Sequence, residues 1–285
     1  MSISVGSLAV SRVIEYDGPL FIPDELLPDL TSERLAAEAG WMTPDFYDPA
    51  QKRLVSCVQS YALRTRHHAI LVDTCVGNGK TGRRNPLWNG GDWPYLDNLA
   101  AAGFRPETID FVILTHLHVD HVGWNTRLVD GRWVPTFANA KYLIVKREFE
   151  YLRHLAATTA QYKQIYEDSI RPILDAGQVV FVENDHEIDD SVKLAPSPGH
   201  TPGHVSVHVR SKGTEAVIAG DVLHHPFQRL HPDWNSRACE DGEQARKTRR
   251  RLYEASADRD VLVLAGHFAP CRIASTREGF DFRYV

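Results

Sequence analysis

The chain has 285 residues, of which 43% are hydrophobic and 24% are charged, so it has enough apolar sequence to form a large buried core. Its 32 basic and 37 acidic side chains give a net charge of −5, which argues against nucleic acid and anionic membranes as partners. The sequence contains no run of 18 apolar residues, and its first six residues lack the pattern of a signal peptide. We therefore expect a small-molecule ligand, with no nucleic-acid or membrane partner.

The four cysteines are scattered along the sequence and form no CxxC pair. Scattered cysteines are typical of proteins that stay in a reducing compartment, so we expect free, buried thiols and a cytoplasmic location. These residues are Cys57, Cys75, Cys239 and Cys271.

The first 53 residues differ in pattern from the rest of the chain. Residues 1–16 alternate between apolar and polar side chains and predict one or two edge strands. Residues 17–53 contain five prolines, and a short helix is predicted from Ser32 to Ala39. We interpret residues 1–53 as an N-terminal arm packed on a single domain that comprises residues 1–285. The arm has two further possible roles, to line a pocket or to form a contact in a homodimer.

Alternating strands and helices are predicted for the middle of the chain. Residues 54–63 and 69–74 predict two strands joined by a turn that contains His67 and His68, which we expect at the surface. Asp73 ends the second of these strands, where it either orients a ligand histidine or caps the next loop. Further elements are predicted in the following order: a helix at 95–103, a buried strand at 109–114, a hairpin at 128–134, a strand at 140–145 and a helical stretch at 146–177 with a break near 156–159.

The last third of the chain predicts mainly strands. One helix is predicted at 245–256, and its arginines are interpreted as a face exposed to solvent. The strands are predicted at 179–182, 192–195, 205–209, 216–220 and 261–265.

The clearest chemical signal is the sequence HLHVDH at residues 116–121, directly after the predicted strand 109–114. Imidazole nitrogen and carboxylate oxygen are preferred ligands of zinc, and imidazole also suits iron and nickel. His116 and His118 are spaced so that they can converge on one ion, whereas Asp120 and His121 can serve a second ion about 3.5–4 Å away. Without a cation, these groups would repel each other when protonated, so we predict a metal site rather than a polar strand end.

Three later segments offer more ligands of the same kind. His200 lies in a loop rich in glycine and proline, Asp221 follows the strand 216–220, and His267 follows the strand 261–265. Ligand-type side chains at several strand ends are expected to meet at one edge of an α/β scaffold.

Together these segments resemble the metallo-β-lactamase superfamily over roughly residues 54–270. The resemblance implies an α/β fold, a four-layer αββα sandwich, with two divalent metal ions, zinc being expected, and a hydroxide shared between them as the nucleophile. It implies the following ligands: His116, His118 and His200 for the first ion, Asp120, His121 and His267 for the second, and Asp221 bridging both. Asp120 is also interpreted as a catalytic residue that holds the proton of the hydroxide and passes it to the leaving group.

Within the superfamily, the chain resembles the branch that contains acyl-homoserine lactonases and methyl-parathion-type organophosphate hydrolases. The predicted activity is therefore opening of a lactone or cleavage of a small ester, as in quorum quenching. A phosphotriesterase, or an iron-dependent redox enzyme on the same fold, remains an alternative. Lactonases of this branch commonly carry a tyrosine three residues after the bridging aspartate, where this chain has His224. His224 either replaces that phenol as a catalytic donor or acid, or is a loop residue that faces solvent.

Overall fold

The computed structural model describes residues 2–277 and 279–285. Two β-sheets lie face to face in the middle of the molecule, and helices cover the outer face of each sheet. The predicted fold class, an α/β four-layer αββα sandwich, is confirmed.

The strands carry apolar side chains at alternate positions, as expected for sheets with buried faces. In chain order they are β1 (Ser2–Val5), β2 (Leu8–Phe21), β3 (Tyr47–Asp48), β4 (Arg53–Arg64), β5 (Ala69–Val72), β6 (Phe111–Ile113), β7 (Thr126–Val129), β8 (Arg132–Pro135), β9 (Lys141–Val145), β10 (Val179–Val182), β11 (Glu187–Asp189), β12 (Val192–Pro196), β13 (Val205–Ser211), β14 (Thr214–Gly220), β15 (Val261–Ala265), β16 (Cys271–Thr276) and β17 (Gly279–Tyr284).

The longest helices begin at side-chain caps or directly after strands. Thr31 caps one of them and Asp241 caps another, each accepting a hydrogen bond from a backbone N–H three residues later. The α-helices are α1 (Pro23–Leu26), α2 (Ser32–Met42), α3 (Tyr95–Ala101), α4 (Val119–Val122), α5 (Lys146–Thr158), α6 (Ala160–Ile165), α7 (Arg171–Asp175) and α8 (Gly242–Ser256). Short 3₁₀-helices occur at Pro86–Trp88, Pro106–Thr108, Gly123–Asn125 and Pro226–Arg229, and a π-helical turn occurs at Tyr166–Ile170.

Each of the two large sheets contains parallel strands next to antiparallel ones, whereas β7 and β8 form a separate antiparallel pair. Within the described residues, the first sheet has the order β1-β2-β4-β5-β6-β9-β10, with β3 paired to β4, and the second runs β11 to β17 in chain order. Strands β5, β6, β9 and β10 are parallel to one another, as are β14 and β15. The carboxyl ends of β5 and β6 therefore lie together, and so do those of β14 and β15.

The main core lies between the two sheets. Val205, Val207 and Val209 alternate along β13 and pack against apolar side chains of the first sheet. The outer face of the first sheet packs on α3 and on the helices that follow β9, and α8 covers the second sheet through Tyr253. Alternation along the strands thus supplies buried surface to both faces of each sheet.

The N-terminal segment is more closely integrated than the predicted edge strands imply. Strand β2 extends to Phe21 and pairs with both β1 and β4, so it is an inner strand of the first sheet. The prediction of an edge strand was wrong for β2 because β1 covers its free edge. The helix predicted from Ser32 is confirmed and extends to Met42. Apolar residues between Leu26 and Met42 pack on Phe227 and Trp234.

Two other details of the sequence analysis are corrected. The arginines of the helix at 245–256 do not all face solvent, because Arg249 is fully buried. Strands β3, β11, β16 and β17 were not predicted, and β16 and β17 form a hairpin at the edge of the second sheet. The break in the helical stretch is confirmed at Thr159, between α5 and α6.

The four cysteines, all within the described part of the chain, are free, and three of them are buried. Among the described residues, no helix is both long and apolar enough to cross a membrane.

Candidate metal centre

The predicted ligand side chains meet where strand ends of the two sheets converge. Strand β6 leads into the HLHVDH segment, β14 leads directly to Asp221, and β15 is followed by Gly266 and His267. His200 comes from the loop between β12 and β13. Strand ends from both sheets thus deliver side chains from four separate segments to one place, as the sequence analysis predicted.

The HLHVDH segment changes conformation halfway along. His118 has an extended backbone at the start of α4, a single helical turn that contains Asp120 and His121. The N–H of His121 donates a hydrogen bond of 3.1 Å to the carbonyl oxygen of His118. This turn directs His116 and His118 to one side of the site and places Asp120 and His121 on the other.

The first group of potential ligands consists of His116, His118, His200 and Asp221, whose ligand atoms all lie within 4.8 Å of one another. His200 Nε2 lies 2.8 Å from His118 Nδ1 and 3.3 Å from Asp221 Oδ2. His116 Nε2 lies 3.8 Å from the same carboxylate oxygen. Two imidazole nitrogens of this group therefore lie within 3.8 Å of Oδ2 of Asp221, and the His118 ring adjoins His200.

The second group consists of Asp120, His121 and His267, and its ligand atoms also lie within 4.8 Å of one another. His121 Nε2 and His267 Nε2 each lie 3.2 Å from Asp221 Oδ1. His267 Nε2 is also 3.6 Å from Asp120 Oδ2. Asp221 Oδ1 thus faces this group, and Asp221 Oδ2, which faces the first group, also lies 3.4 Å from His267 Nε2.

The donor set fits two divalent cations. His116 Nε2, His121 Nε2 and Asp221 Oδ1 are buried and have no hydrogen-bond partner within the described structure. Buried polar atoms without partners are costly, and imidazole nitrogen with carboxylate oxygen is a preferred donor set for zinc and similar ions. A cation in each group would satisfy these atoms at once.

Burial and mutual repulsion shape the protonation of the cluster. Burial, reinforced by the neighbouring imidazoles, holds the pKa of His116 and of His200 well below the usual value. Burial alone would raise the pKa of Asp221, but the surrounding imidazoles, His121 first, hold it well below its usual range. Neutral His116 and His200 and an ionised Asp221 are the forms that bind a metal ion.

The ring nitrogens that point away from the cluster have partners of their own. His116 Nδ1 lies 3.1 Å from the hydroxyl of Thr115, and His121 Nδ1 lies 2.8 Å from Asp73 Oδ2. His267 Nδ1 lies 3.0 Å from the backbone carbonyl oxygen of Cys57. Such contacts fix the ring orientation and the tautomer of a ligand histidine. Of the two roles considered for Asp73, its position favours orienting a histidine.

His224 is part of the cluster's surroundings but belongs to neither group. It is 2% exposed, so the interpretation as a loop residue that faces solvent is wrong. Its Nε2 lies 3.3 Å from Asp221 Oδ2, and neither ring nitrogen has a hydrogen-bond partner among the described residues. Gln228 Oε1 accepts a hydrogen bond of 2.7 Å from the backbone N–H of His224 and fixes the start of this loop.

Several side chains that support the cluster were not predicted from the sequence. Cys239 Sγ lies 3.6 Å from His200 Nδ1, and Glu148 accepts hydrogen bonds from the backbone N–H groups of Leu117 and Gly203. No local motif marks either residue. The only available signal was the position of Glu148 in the first turn of a predicted helix directly after a buried strand.

A buried cluster of histidine and aspartate at the strand ends of an αββα sandwich is typical of a metal-dependent enzyme. Residues 57–267 match the sequence profile of the metallo-beta-lactamase superfamily. The chain belongs to this superfamily and is a metal-dependent hydrolase. This result confirms the resemblance on which the sequence analysis relied.

Individual relatives support the same assignment. An N-acyl homoserine lactonase from Bacillus cereus is 27% identical over 222 residues, which cover 74% of this chain and 80% of the relative. The solved structure of the hydrolase AbOPH of the beta lactamase superfamily covers 100% of this chain and 96% of its own, with a TM-score of 0.83 and 22% identity. The structure of AidC, a dizinc quorum-quenching lactonase solved with a product bound, covers 100% of this chain and 97% of its own. Its TM-score is 0.79 and its sequence identity is 20%. At these identities the two structures show a shared fold.

Proposed function

We propose that this chain is a dinuclear metal-dependent hydrolase that opens a lactone or cleaves another small neutral ester. The observation that carries the proposal is the position of Asp221 between the two groups of potential ligands. Oδ2 faces the group of His116 and His200, whereas Oδ1 faces the group of His121 and His267, each at 3.2–3.8 Å. A carboxylate placed in this way can bridge two ions.

In this proposal every predicted ligand has a defined role. His116, His118 and His200 hold the first ion, Asp120, His121 and His267 hold the second, and Asp221 contacts both. Zinc is the proposed metal because it accepts this combination of nitrogen and oxygen donors. Two bound ions would supply a hydroxide nucleophile at neutral pH and would polarise the carbonyl oxygen of the substrate.

Two side chains are proposed to act on protons and on the substrate. Asp120 would accept the proton of the nucleophile and pass it to the leaving group, because its carboxylate lies in the second group, beside His267. His224 would donate a hydrogen bond to the substrate, because its imidazole is next to Asp221 and neither of its nitrogens has a hydrogen-bond partner among the described residues. Burial lowers the pKa of His224, so it would act as a neutral donor.

The proposed substrate class is supported by the relatives. The Bacillus cereus relative is an N-acyl homoserine lactonase, and AidC is a lactonase whose structure contains two zinc ions and a product. A lactone is a neutral cyclic ester, which needs a nucleophile, a polarised carbonyl and a proton donor, and the proposed roles supply each of these.

A substrate panel with matched metal controls tests the proposal. The purified chain would be assayed on lactones, linear esters, thioesters, β-lactams and phosphotriesters, with and without a chelator. We expect the highest turnover on a lactone or an ester. The chelator should abolish this turnover, and added zinc should restore it. Preference for a phosphotriester would favour the phosphotriesterase alternative, and iron with redox activity in the isolated protein would favour the redox alternative.

Variants of the two groups test the site itself. Asp120→Asn and His116→Ala should each lower both metal content and turnover. His67→Ala is the matched control, because His67 is exposed on the turn between β4 and β5. Metal content and turnover that stayed at the wild-type level in both site variants would exclude these residues as ligands.

The proposal applies to the chain as a whole. We propose that residues 1–285 fold as one domain, with residues 1–53 as an N-terminal segment packed on it. A cytoplasmic location and a homodimer are also proposed. Light scattering coupled to gel filtration tests the dimer, and limited proteolysis that released residues 1–53 as a separate unit would contradict the single domain.

A further inference from the structure

We infer that His204, which belongs to neither group of potential ligands, is a positioning residue that holds Asp221 between them. The inference rests on the proposed dinuclear centre, because it assigns to His204 the orientation of the carboxylate shared by both ions. His204 lies four residues after His200, at the end of the same loop, and is 1% exposed. It therefore links two segments that carry ligands.

The hydrogen bonds of His204 define its tautomer. The backbone N–H of Asp221 donates a hydrogen bond of 3.0 Å to His204 Nε2, so this nitrogen carries no proton. Nδ1 therefore carries the proton and donates a hydrogen bond of 2.8 Å to the hydroxyl oxygen of Ser197. Ser206 in turn donates to the same hydroxyl oxygen at 3.0 Å. Both ring nitrogens are thus used for structure, and the ring is fixed from two sides.

Packing around Gly220 shows how closely this imidazole approaches the strand end. Gly220 has φ +51°, and a Cβ at this position would lie 2.7 Å from His204 Nε2 and 2.9 Å from Thr115 Oγ1. The backbone N–H of Val205 also donates a hydrogen bond of 3.0 Å to the carbonyl oxygen of Thr115. The segments that carry His116, His200 and Asp221 therefore come together around Gly220. They can approach this closely because glycine has no side chain.

This arrangement controls the direction of the Asp221 carboxylate. Asp221 is the first residue after β14, so its backbone is held on one side by the sheet and on the other by His204. Loss of the imidazole would leave a buried N–H without an acceptor and would free the peptide between Gly220 and Asp221 to rotate. Because Asp221 contacts both groups, both ions should be held less firmly.

The test compares metal binding, with no substrate present, in the full-length chain and in variants of His204. His204→Leu removes the acceptor, and His204→Gln retains an amide oxygen that can accept from Asp221. His208→Leu is the matched control, because His208 lies on β13, the strand that begins directly after His204, and its Nδ1 is paired with Glu215, 2.8 Å away. Zinc affinity is measured by competition with a chelator, and the visible spectrum of the cobalt-loaded protein reports ligand geometry.

We expect His204→Leu to lower zinc affinity by about 10–100-fold, as is typical when the partner of a ligand is removed. We expect His204→Gln to restore most of the affinity, and His208→Leu to match the wild type in affinity and in cobalt spectrum. Wild-type affinity and spectrum in a folded His204→Leu variant would overturn the inference. If His204→Leu does not fold, Ser197→Ala takes its place in the test, because it removes the hydrogen-bond partner of His204 Nδ1. Wild-type zinc affinity in that variant would also overturn the inference.

The outcomes separate this inference from the proposed function. A wild-type chain that bound two ions but hydrolysed no ester would contradict the proposed substrate class and leave the role of His204 intact. A wild-type chain that bound no divalent ion would contradict the metal centre and the role of His204 with it.

Discussion

His121 donates a hydrogen bond through Nδ1 to Asp73 Oδ2, 2.8 Å away, and so presents Nε2 to the second group of potential ligands. Asp73 also accepts hydrogen bonds from the backbone N–H and the hydroxyl of Thr115, both at 2.8 Å. One carboxylate at the end of β5 therefore contacts His121 of the second group and Thr115, whose hydroxyl lies 3.1 Å from Nδ1 of His116 in the first group. It does so from the left-handed region of backbone conformation, with φ +59°, which aspartate and asparagine tolerate better than most residues.

Asp73→Asn should weaken metal binding without disturbing the backbone. Asparagine tolerates the same φ, but its single carbonyl oxygen cannot accept all three hydrogen bonds, and its NH₂ group would face another donor. We expect zinc affinity to fall by about 10–100-fold. The measurement is chelator competition, with Asp110→Asn as control because Asp110 caps the other end of β5 by accepting from Ala69. Equal affinities in the two variants would contradict this role of Asp73.

Arg249 and Arg250 form a matched pair for testing stability. Arg249 is fully buried and donates hydrogen bonds to the carbonyl oxygens of Val222, Pro232 and Trp234 at 2.7–2.9 Å. Arg249→Leu would leave these buried acceptors unpaired, so we expect the free energy of unfolding to fall by about 2–4 kcal/mol.

The neighbouring Arg250→Leu should cost no more than about 1 kcal/mol, because the ion pair of Arg250 with Asp233 is exposed. Urea denaturation of both variants provides the comparison. If Arg249→Leu lowered the free energy of unfolding by no more than Arg250→Leu, the buried hydrogen bonds of Arg249 would contribute little to stability.

Arg249 also shows where sequence reasoning failed. Helical periodicity placed it among arginines expected to face solvent, but its partners lie 15 to 27 residues earlier in a loop with no regular pattern. Glu15 is a similar case, since it was part of a predicted edge strand yet accepts hydrogen bonds from Val76, Gly77 and Trp124, 61 to 109 residues away. A buried polar side chain depends on distant backbone groups, and these do not appear in a local window of sequence.

The two groups of potential ligands were visible in the sequence for the opposite reason. His116, His118, Asp120 and His121 are adjacent in sequence, and the strand before them is short, apolar and rich in β-branched residues. Asp221 and His267 likewise follow apolar strands, whereas His200 was marked by its loop rich in glycine and proline. Sequence could not decide between a buried and an exposed His224, because burial of this loop comes from packing of Phe227 and Trp234 on the N-terminal segment.

His224→Phe tests whether this buried imidazole contacts the substrate. Phenylalanine retains the bulk of the ring and removes both nitrogens, so we expect kcat/KM to fall by at least about 10-fold while metal content stays the same. His225→Phe is the control, because His225 Nε2 is already paired with the carbonyl oxygen of Phe46. A His224→Phe variant within a few-fold of wild type in kcat/KM would remove His224 from the mechanism.

Glu148 gives a prediction about pH and stability. It is buried at the start of α5 and accepts hydrogen bonds from Leu117 at 3.1 Å and Gly203 at 2.9 Å, next to His118 and in the His200 loop. Burial raises the pKa of Glu148 to about 7, above its usual value of 4.5, despite these hydrogen bonds. Between these two pH values the folded chain holds a proton on Glu148 that the unfolded chain has lost.

The contribution of Glu148 to stability is therefore fully present below about pH 4.5 and is lost as pH rises through about 7. Glutamine does not titrate, so Glu148→Gln should be more destabilising at pH 5 than at pH 7.5, with a difference of roughly 2–3 kcal/mol. Urea denaturation of both proteins without metal at pH 5, 6, 7 and 7.5 measures this difference, and other titrating groups cancel in the comparison. A destabilisation that grew with pH would mean that Glu148 is ionised throughout and that its two N–H donors outweigh its burial.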